Sequence, residues 1–304
     1  TLFRSTHSGE VLEGLQALSE DRYNADAKHV LNELKARFVG DLVPPEESKV
    51  LQSLQNTTYF MHLGFNISYF ATNATQAWTT SLPVMAGRHG VVNAANSLTA
   101  ASKDVIRLLS QATAQSVEEN GALVGLQLRL TDEQIRKLAK DDGEAAMLKA
   151  LTDDGVIDIT IKHDLGAISD GAATSTVGRG LQKTMELSSA LANYPELYNR
   201  LATALAAYRM EAAHRGEGPE TDAQVQERAQ QYAEKIINRT HFNYSPENAP
   251  RMMRSQLGRL VFQFKRYQQG MIYLFAKLIK DSVRGESHEV RANARNSLAY
   301  LLGM

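Results

Sequence analysis

Among the side chains present in this protein, histidine is the best suited to acid–base chemistry or metal binding at neutral pH. The eight histidines are dispersed along the sequence: His7, His29, His62, His89, His163, His214, His241 and His288. No two lie three or four residues apart, so no single helix face can present two imidazoles to one metal ion. There is also no cysteine, which excludes disulfides, thiolate zinc sites and thiol nucleophiles.

Two short segments carry weaker indications of chemistry. The segment from Asp153 to Asp164 holds several carboxylates and one histidine, but their spacing does not match a calcium loop and favours a solvated turn. Gly178-Arg179-Gly180 resembles part of a phosphate-binding loop, but the Lys-Ser/Thr that should follow is missing. We therefore predict that this chain is not an enzyme. We expect no catalytic residue, cofactor, metal or small-molecule substrate.

A line of basic residues is the main candidate for contact with a partner. Its members are spaced 7, 11 and 7 residues apart in a predicted amphipathic helix over 252–284: Arg259, Arg266, Lys277 and Arg284. At about 100° per residue these spacings return to nearly the same angle, roughly opposite an apolar arc that includes Leu274, Leu278 and Ile279. We call the four residues the basic stripe. Cations held in line on a helix can follow a DNA phosphate backbone or an anionic membrane surface.

The distribution of charge favours an anionic partner for this region. The net charge is −1, but residues 251–304 carry ten Lys and Arg against three Asp and Glu, a net charge of +7. The rest of the chain carries 23 basic and 31 acidic residues, a net charge of −8. A basic end on an acidic body is typical of a surface that meets DNA or anionic lipid. The alternative is that the stripe is neutralised by neighbouring helices of the same chain.

The elements that position these residues are predicted to be helices. The chain is rich in Ala, Leu, Gln, Glu, Arg and Lys, which lose little side-chain freedom in a helix. Capping boxes at Thr131–Gln134 and Thr221–Gln224 predict two helix starts. We therefore predict an all-α multi-helix bundle with long antiparallel helices, and at most a short strand near 156–161. No stretch of 18 uncharged apolar residues occurs, so no single helix is predicted to span a bilayer.

A low-complexity segment divides the predicted helices into two regions. Residues 169–180 are rich in Gly, Ala, Ser and Thr, which predicts a flexible loop between an N-terminal helical region over 1–168 and a C-terminal one over 181–304. Separate helices are expected over 181–191 and 195–214, and Leu82–Pro83 predicts another break. Because the chain starts at Thr1 and is still helix-like at its end, we expect it to be a fragment of a much larger protein.

Two stretches resemble a known class of proteins. The first is Ala77–Gly90, AWTTSLPVMAGRHG, and the second is Asn238–Arg284. The second contains His241-Phe242-Asn243-Tyr244-Ser245, then Asn248 and Pro250, then Gly258-Arg259, and then Gln263-Phe264-Lys265. Together they resemble a helical region of the internal virion proteins, or ejection proteins, of podophage-like tailed bacteriophages. They also resemble the related large polyvalent proteins of phages and prophages.

The resemblance implies a role but no catalytic residues. It implies a non-catalytic structural module that is packaged in the capsid, ejected with the genome, and helps to form a DNA-delivery conduit across the host envelope. Its partners would be further copies of itself or other ejection proteins, with DNA or an anionic membrane surface at the basic stripe. Two alternatives stay open. One is a non-catalytic module of a virion-packaged RNA polymerase or transglycosylase polypeptide, and the other is a phage-encoded binding protein that counters host defence.

Overall fold

The computed structural model describes residue 34 and residues 73–120, 130–157, 176–214, 219–241 and 266–303. The chain separates into two compact units, one formed by Thr1–Ser53 with Ser245–Val261 and the other by Leu54–Tyr244 with Phe262–Met304. All described residues except Leu34 belong to the second unit. This division does not follow the segment 169–180, because helices from both sides of that segment pack against each other.

The described residues form a helical bundle and include no strand, which confirms the predicted all-α class for this part of the chain. A π-helical turn, Ala77–Ser81, comes first. Eight α-helices follow: α1 Leu82–His89, α2 Val91–Asn120, α3 Asp132–Leu138, α4 Asp142–Asp153, α5 Thr176–Ala213, α6 Asp222–Thr240, α7 Arg266–Arg284 and α8 His288–Gly303.

The two predicted capping boxes both begin helices. At α3, the Gln134 backbone N–H donates to Thr131 Oγ1 at 3.2 Å, and the Thr131 N–H donates to Gln134 Oε1 at 2.9 Å. At α6, the same exchange joins Thr221 and Gln224 at 3.4 and 3.0 Å. These local bonds satisfy backbone donors that have no partner within the helix, so they fix where each helix starts.

α5 is the central helix of this unit. It packs against α2 and α6 and also touches α4 and the π-helical turn. Every residue from Asn199 to Tyr208 is buried, so this stretch has neighbours on all sides and no solvated face. Small side chains let the surrounding helices come close: Ala202, Ala204, Ala206 and Ala207.

The course of α5 corrects two details of the sequence prediction. The helix begins at Thr176, so residues 176–180 of the predicted flexible loop 169–180 are helical and include Gly178-Arg179-Gly180. The helix also runs without interruption through Pro195, where two separate helices are predicted. Proline removes one backbone donor and disfavours a helix interior. Pro195 is buried, and packing around the central helix outweighs this local preference.

The π-helical turn replaces the break predicted at Leu82–Pro83. The Leu82 backbone N–H donates to the Ala77 carbonyl, and the chain continues directly into α1. Pro83 lies in the first turn of α1, where its missing N–H costs little. The turn contacts both α5 and α6 and buries Thr80 and Ser81.

Helix α4 ends at Asp153, and the chain then makes a tight turn over Asp153–Gly155, within the segment that the sequence predicts to be a turn. Gly155 has a φ of +70°, a conformation that favours glycine. Val156 and Ile157 then donate their backbone N–H groups to the Leu151 carbonyl at 2.9 and 3.2 Å. These two residues therefore fold back on α4 and form no strand. The rest of the predicted strand, 158–161, lies outside the described residues.

α8 connects α7 to the rest of the bundle, because it packs on α1 on one side and on α7 on the other. The α1–α8 contact is close at Gly87. A Cβ atom added there would lie 2.1 Å from Ser297 Oγ and 2.6 Å from the Asn293 carbonyl oxygen. Glycine at this position therefore sets how near the two helices can come.

Candidate functional site

Three members of the basic stripe belong to α7. Arg266 is its first residue and Arg284 its last, and Arg284 is exposed. The Lys277 side chain is 45% exposed, and its Nζ lies 3.9 Å from Asp281 Oδ2. The fourth member, Arg259, lies outside the described residues. The structure therefore places Arg266, Lys277 and Arg284 on one helix.

The orientation of the basic stripe differs from the prediction. α7 buries Leu274 and Leu278 fully. At about 100° per residue, Lys277 and Arg284 lie roughly 80–100° around the helix from the line between these two leucines. The stripe thus flanks the buried face of α7 and does not lie opposite to it. Ile279, which the sequence assigns to the apolar arc, is 55% exposed.

The side of α7 opposite its buried face is apolar and exposed. Ile272, Ile279 and Val283 are 70%, 55% and 68% exposed. Their spacing of 7 and 4 residues, with the exposed Ala276 between them, puts them in one line about 140° from the buried leucines. We call this line the outer strip: Ile272, Ala276, Ile279 and Val283. Tyr273 and Lys280, both exposed, lie between the outer strip and the basic stripe.

A buried cluster of hydroxyls and one histidine lies where the π-helical turn, α5 and the end of α6 meet. Ser81 Oγ donates to Thr240 Oγ1 at 2.9 Å, and Thr203 Oγ1 donates to Ser81 Oγ at 3.1 Å. His241 Nε2 lies 3.1 Å from Ser81 Oγ and 2.9 Å from Thr203 Oγ1. We call these four residues the hydroxyl–histidine cluster. All four are buried.

This cluster contains a serine beside a histidine, but its geometry does not form a hydrolytic triad. A triad needs a carboxylate that orients the second imidazole nitrogen. His241 Nδ1 is buried and has no hydrogen-bond partner in the part of the chain that the structure describes. Burial lowers the pKa of His241 well below its usual range, and the nearby positive charge of Arg200 lowers it further. Among the described residues, His241 therefore connects the π-helical turn and α5 at the end of α6.

A second buried network surrounds Glu211 of α5. Arg88 of α1 donates through Nε and a terminal nitrogen to the two carboxylate oxygens, both at 2.9 Å. Arg228 of α6 donates at 2.5 Å, and His89 Nε2 lies 3.1 Å from the same carboxylate. Burial alone would raise the pKa of Glu211, but the close approach of these three side chains, with hydrogen bonds from Arg88 and Arg228, outweighs it and lowers the pKa to about 2. We call these four residues the Glu211 cluster.

Both buried clusters draw on the first of the two resembling stretches. Ser81, Arg88 and His89 all lie within Ala77–Gly90. The hydroxyl–histidine cluster also includes Thr240 and His241 from the second stretch, 159 and 160 residues from Ser81. Sequence reasoning did not anticipate this, because each polar residue finds its partners far along the chain. The sequence feature that could have indicated these clusters is the presence of polar side chains inside otherwise apolar helical segments.

The other candidate sites from the sequence gain no support. Within the described ranges no group of three or more His, Asp and Glu side chains could hold a metal ion. The Asp153 carboxylate lies 3.2 Å from Lys149 Nζ. Asp158, His163 and Asp164 lie outside the described residues. Of the helices described, none is long and apolar enough to cross a membrane.

Comparison with known proteins gives no relative. No family model matches the chain, and no curated protein and no solved structure match it. The function must therefore be argued from the residues and from their arrangement.

Proposed function

We propose that this chain is a structural module of a large internal virion protein of a podophage-like bacteriophage, ejected with the genome into the host envelope. The observation that supports this most directly is the hydroxyl–histidine cluster, in which the two resembling stretches meet. The two stretches on which the resemblance depends are far apart in the sequence but meet in the folded chain. The contact between Ser81 and His241 makes the two stretches one structural feature.

The proposed work of the module is helix–helix assembly without catalysis. Its buried polar groups are used to join helices: the Glu211 cluster joins α1, α5 and α6, and the hydroxyl–histidine cluster joins the π-helical turn, α5 and α6. Among the described residues, α7 exposes the outer strip together with Lys277 and Arg284 of the basic stripe. Further copies of the chain or other ejection proteins are the protein partners that this role requires.

The location of the protein during infection tests this proposal. We expect the protein in purified particles, protected from added protease until the genome is released. After infection it should fractionate with the host envelope. A protein made in infected cells but absent from particles would contradict the proposal and favour a binding protein that counters host defence.

The purified 304-residue chain tests the absence of catalysis. We expect no release of peptidoglycan fragments, no nucleotide hydrolysis and no RNA synthesis above the level of a heat-unfolded sample. Any of these activities, abolished by heat and retained through purification, would contradict a purely structural role. Polymerase or transglycosylase motifs in the parent reading frame would favour the alternative in which the module serves such a polypeptide.

A further inference from the structure

We propose that the outer strip of α7 docks on an anionic lipid bilayer, with the helix lying along the membrane surface and its flanking cations on the lipid headgroups. This names the partner of the basic stripe within the proposed function. It rests on that function, because ejection into the host envelope is what brings the chain to a bilayer. The proposal follows from what α7 exposes and from how its charges are arranged.

The outer strip is apolar where a solvated helix face would be polar. Ile272, Ile279 and Val283 are each more than half exposed, and they form one continuous line along three turns. Isolated exposed apolar side chains are ordinary, but a contiguous line of them marks an interaction surface. Tyr273 stands at the edge of this line and is 68% exposed. Tyrosine has an apolar ring and a polar hydroxyl, which suits the boundary between acyl chains and headgroups.

The charged side chains that α7 exposes beside the outer strip are positive. Lys277, Lys280 and Arg284 are exposed on one flank of it. The one acidic residue of α7, Asp281, is mostly buried and accepts a hydrogen bond from Arg239 at 3.0 Å. Long basic side chains can lie along an apolar surface and extend their charged ends to headgroups. Each cation held at an anionic surface strengthens binding by roughly fivefold.

This combination of surfaces fits a membrane better than it fits the other candidate partners. Duplex DNA would use the cations but would gain nothing from the exposed Ile272, Ile279 and Val283, since its outer surface is phosphate and sugar. A second copy of the chain, paired antiparallel along the outer strip, would bring Lys280 and its flanking cations close to their own counterparts, and like charges placed together oppose association. An apolar line flanked by cations is the pattern of helices that lie in a membrane interface.

Vesicle flotation of the full chain tests the proposal. The vesicles contain phosphatidylglycerol and phosphatidylcholine in equal parts, with pure phosphatidylcholine as the comparison. Binding to the anionic vesicles should be at least roughly tenfold stronger and should weaken as salt is raised. The variant I272Q/I279Q/V283Q should lose at least roughly tenfold in binding. V92Q/I106Q is the matched control, because both residues are exposed apolar side chains of α2, and it should bind as the unchanged chain does.

A second variant, K277Q/K280Q/R284Q, separates the possible partners. It should lose the preference for anionic vesicles while its circular dichroism and its melting temperature stay unchanged. Equal vesicle binding by the unchanged chain and the outer-strip variant would overturn the proposal. So would DNA binding that depends on the three cations but not on the outer strip, or a dimer that the outer-strip variant abolishes. If the protein binds vesicles but is absent from virions, the proposed function is contradicted and the proposal of a lipid-binding surface is not.

Discussion

Glu211 is the residue whose loss should destabilise the bundle most clearly. Its carboxylate is 1% exposed and lies against Arg88, Arg228 and His89. Glu211→Gln keeps the shape of the side chain but removes the buried negative charge to which Arg88 and Arg228 donate. Because both arginines are partly exposed and keep Glu289 and Glu220 as further partners, we expect a loss of about 1–3 kcal/mol. Denaturant unfolding followed by circular dichroism measures this loss as a fall in the unfolding free energy.

A second acidic partner of Arg88 provides the control for this prediction. Glu289 also forms an ion pair with Arg88, but its side chain is 66% exposed. Glu289→Gln should therefore change the unfolding free energy by less than about 1 kcal/mol. If the two glutamine variants lose similar stability, the effect comes from a general change in charge and the Glu211 cluster has no special role.

His241 predicts how stability depends on pH. Its pKa in the folded protein lies well below the usual 6.5, so below that pH the unfolded chain binds a proton that the folded chain does not. Stability should fall as pH decreases from about 6.5, with a slope of at most roughly 1.4 kcal/mol per pH unit. His241→Gln should reduce this slope between pH 7 and pH 5, measured by denaturant unfolding at a series of pH values. A slope that does not change would show that other groups take up the proton.

Glu211 acts in a separate and lower pH window. Its folded pKa is depressed to about 2 from an ordinary value of 4.5, so its contribution is complete above pH 4.5 and is lost as pH falls towards 2. Because the Glu211 window lies below about pH 4.5, the change of slope in His241→Gln can be measured above pH 5 without interference from Glu211.

At the scale of single residues, hydrogen bonds between neighbours in the sequence were predictable, and those between residues far apart in the sequence were not. The capping residues Thr131 and Thr221 could be read directly, because their hydrogen-bond partners lie three residues away. The hydroxyl–histidine cluster could not, since Ser81 and His241 meet only after α5 and α6 are in place. A buried polar residue is recognisable only when its distant partner is known.

Gly87 tests the packing of α1 on α8. In an exposed helix, replacing glycine by alanine stabilises by about 1 kcal/mol, because glycine loses more backbone freedom on folding. At Gly87 the added methyl group would meet Ser297 Oγ at 2.1 Å and the Asn293 backbone oxygen at 2.6 Å. Gly87→Ala should therefore destabilise, by roughly 1–3 kcal/mol for an overpacked contact. The sign of the change in melting temperature decides between the two effects.

Gly303 is the matched control, because it also lies in a helix but has nothing within 4 Å of an added Cβ. Gly303→Ala should leave the melting temperature unchanged or raise it slightly. A stabilising Gly87→Ala would contradict the close approach of α1 and α8.

At the scale of helices, some features follow from the local rules of helix formation, and others depend on packing between helices. For the described residues, the all-α class followed from composition, and the starts of α3 and α6 followed from their capping boxes. The continuity of α5 through Pro195 did not, because the packing that surrounds this helix overrides the local preference of one residue. Residues 266–284 of the helix predicted over 252–284 are helical, but apolar residues occupy two sides of α7. Periodicity alone could not tell the buried Leu278 from the exposed Ile279.

For the whole molecule, the uneven charge raises the question of whether the acidic body neutralises the basic end. Two ion pairs described in the structure join residues before 251 to residues after it: Arg88 with Glu289, and Arg239 with Asp281. In both, the body supplies the cation and the basic end supplies the acid. Two of the three acidic residues in 251–304 are thus used in these pairs, which leaves the positive charge of Lys277 and Arg284 available to an outside partner.

This arrangement predicts that the basic stripe contributes little to stability. Lys277 lies 3.9 Å from an Asp281 that is already paired with Arg239 at 3.0 Å, and Arg284 is exposed. K277Q/R284Q should therefore change the unfolding free energy by less than about 1 kcal/mol. The control, Arg239→Gln, removes a mostly buried partner of Asp281 and should cost more. Denaturant unfolding of both variants in the same buffer makes the comparison. If K277Q/R284Q loses as much stability as Arg239→Gln, the stripe holds neighbouring helices together, and an anionic partner is no longer needed to explain it.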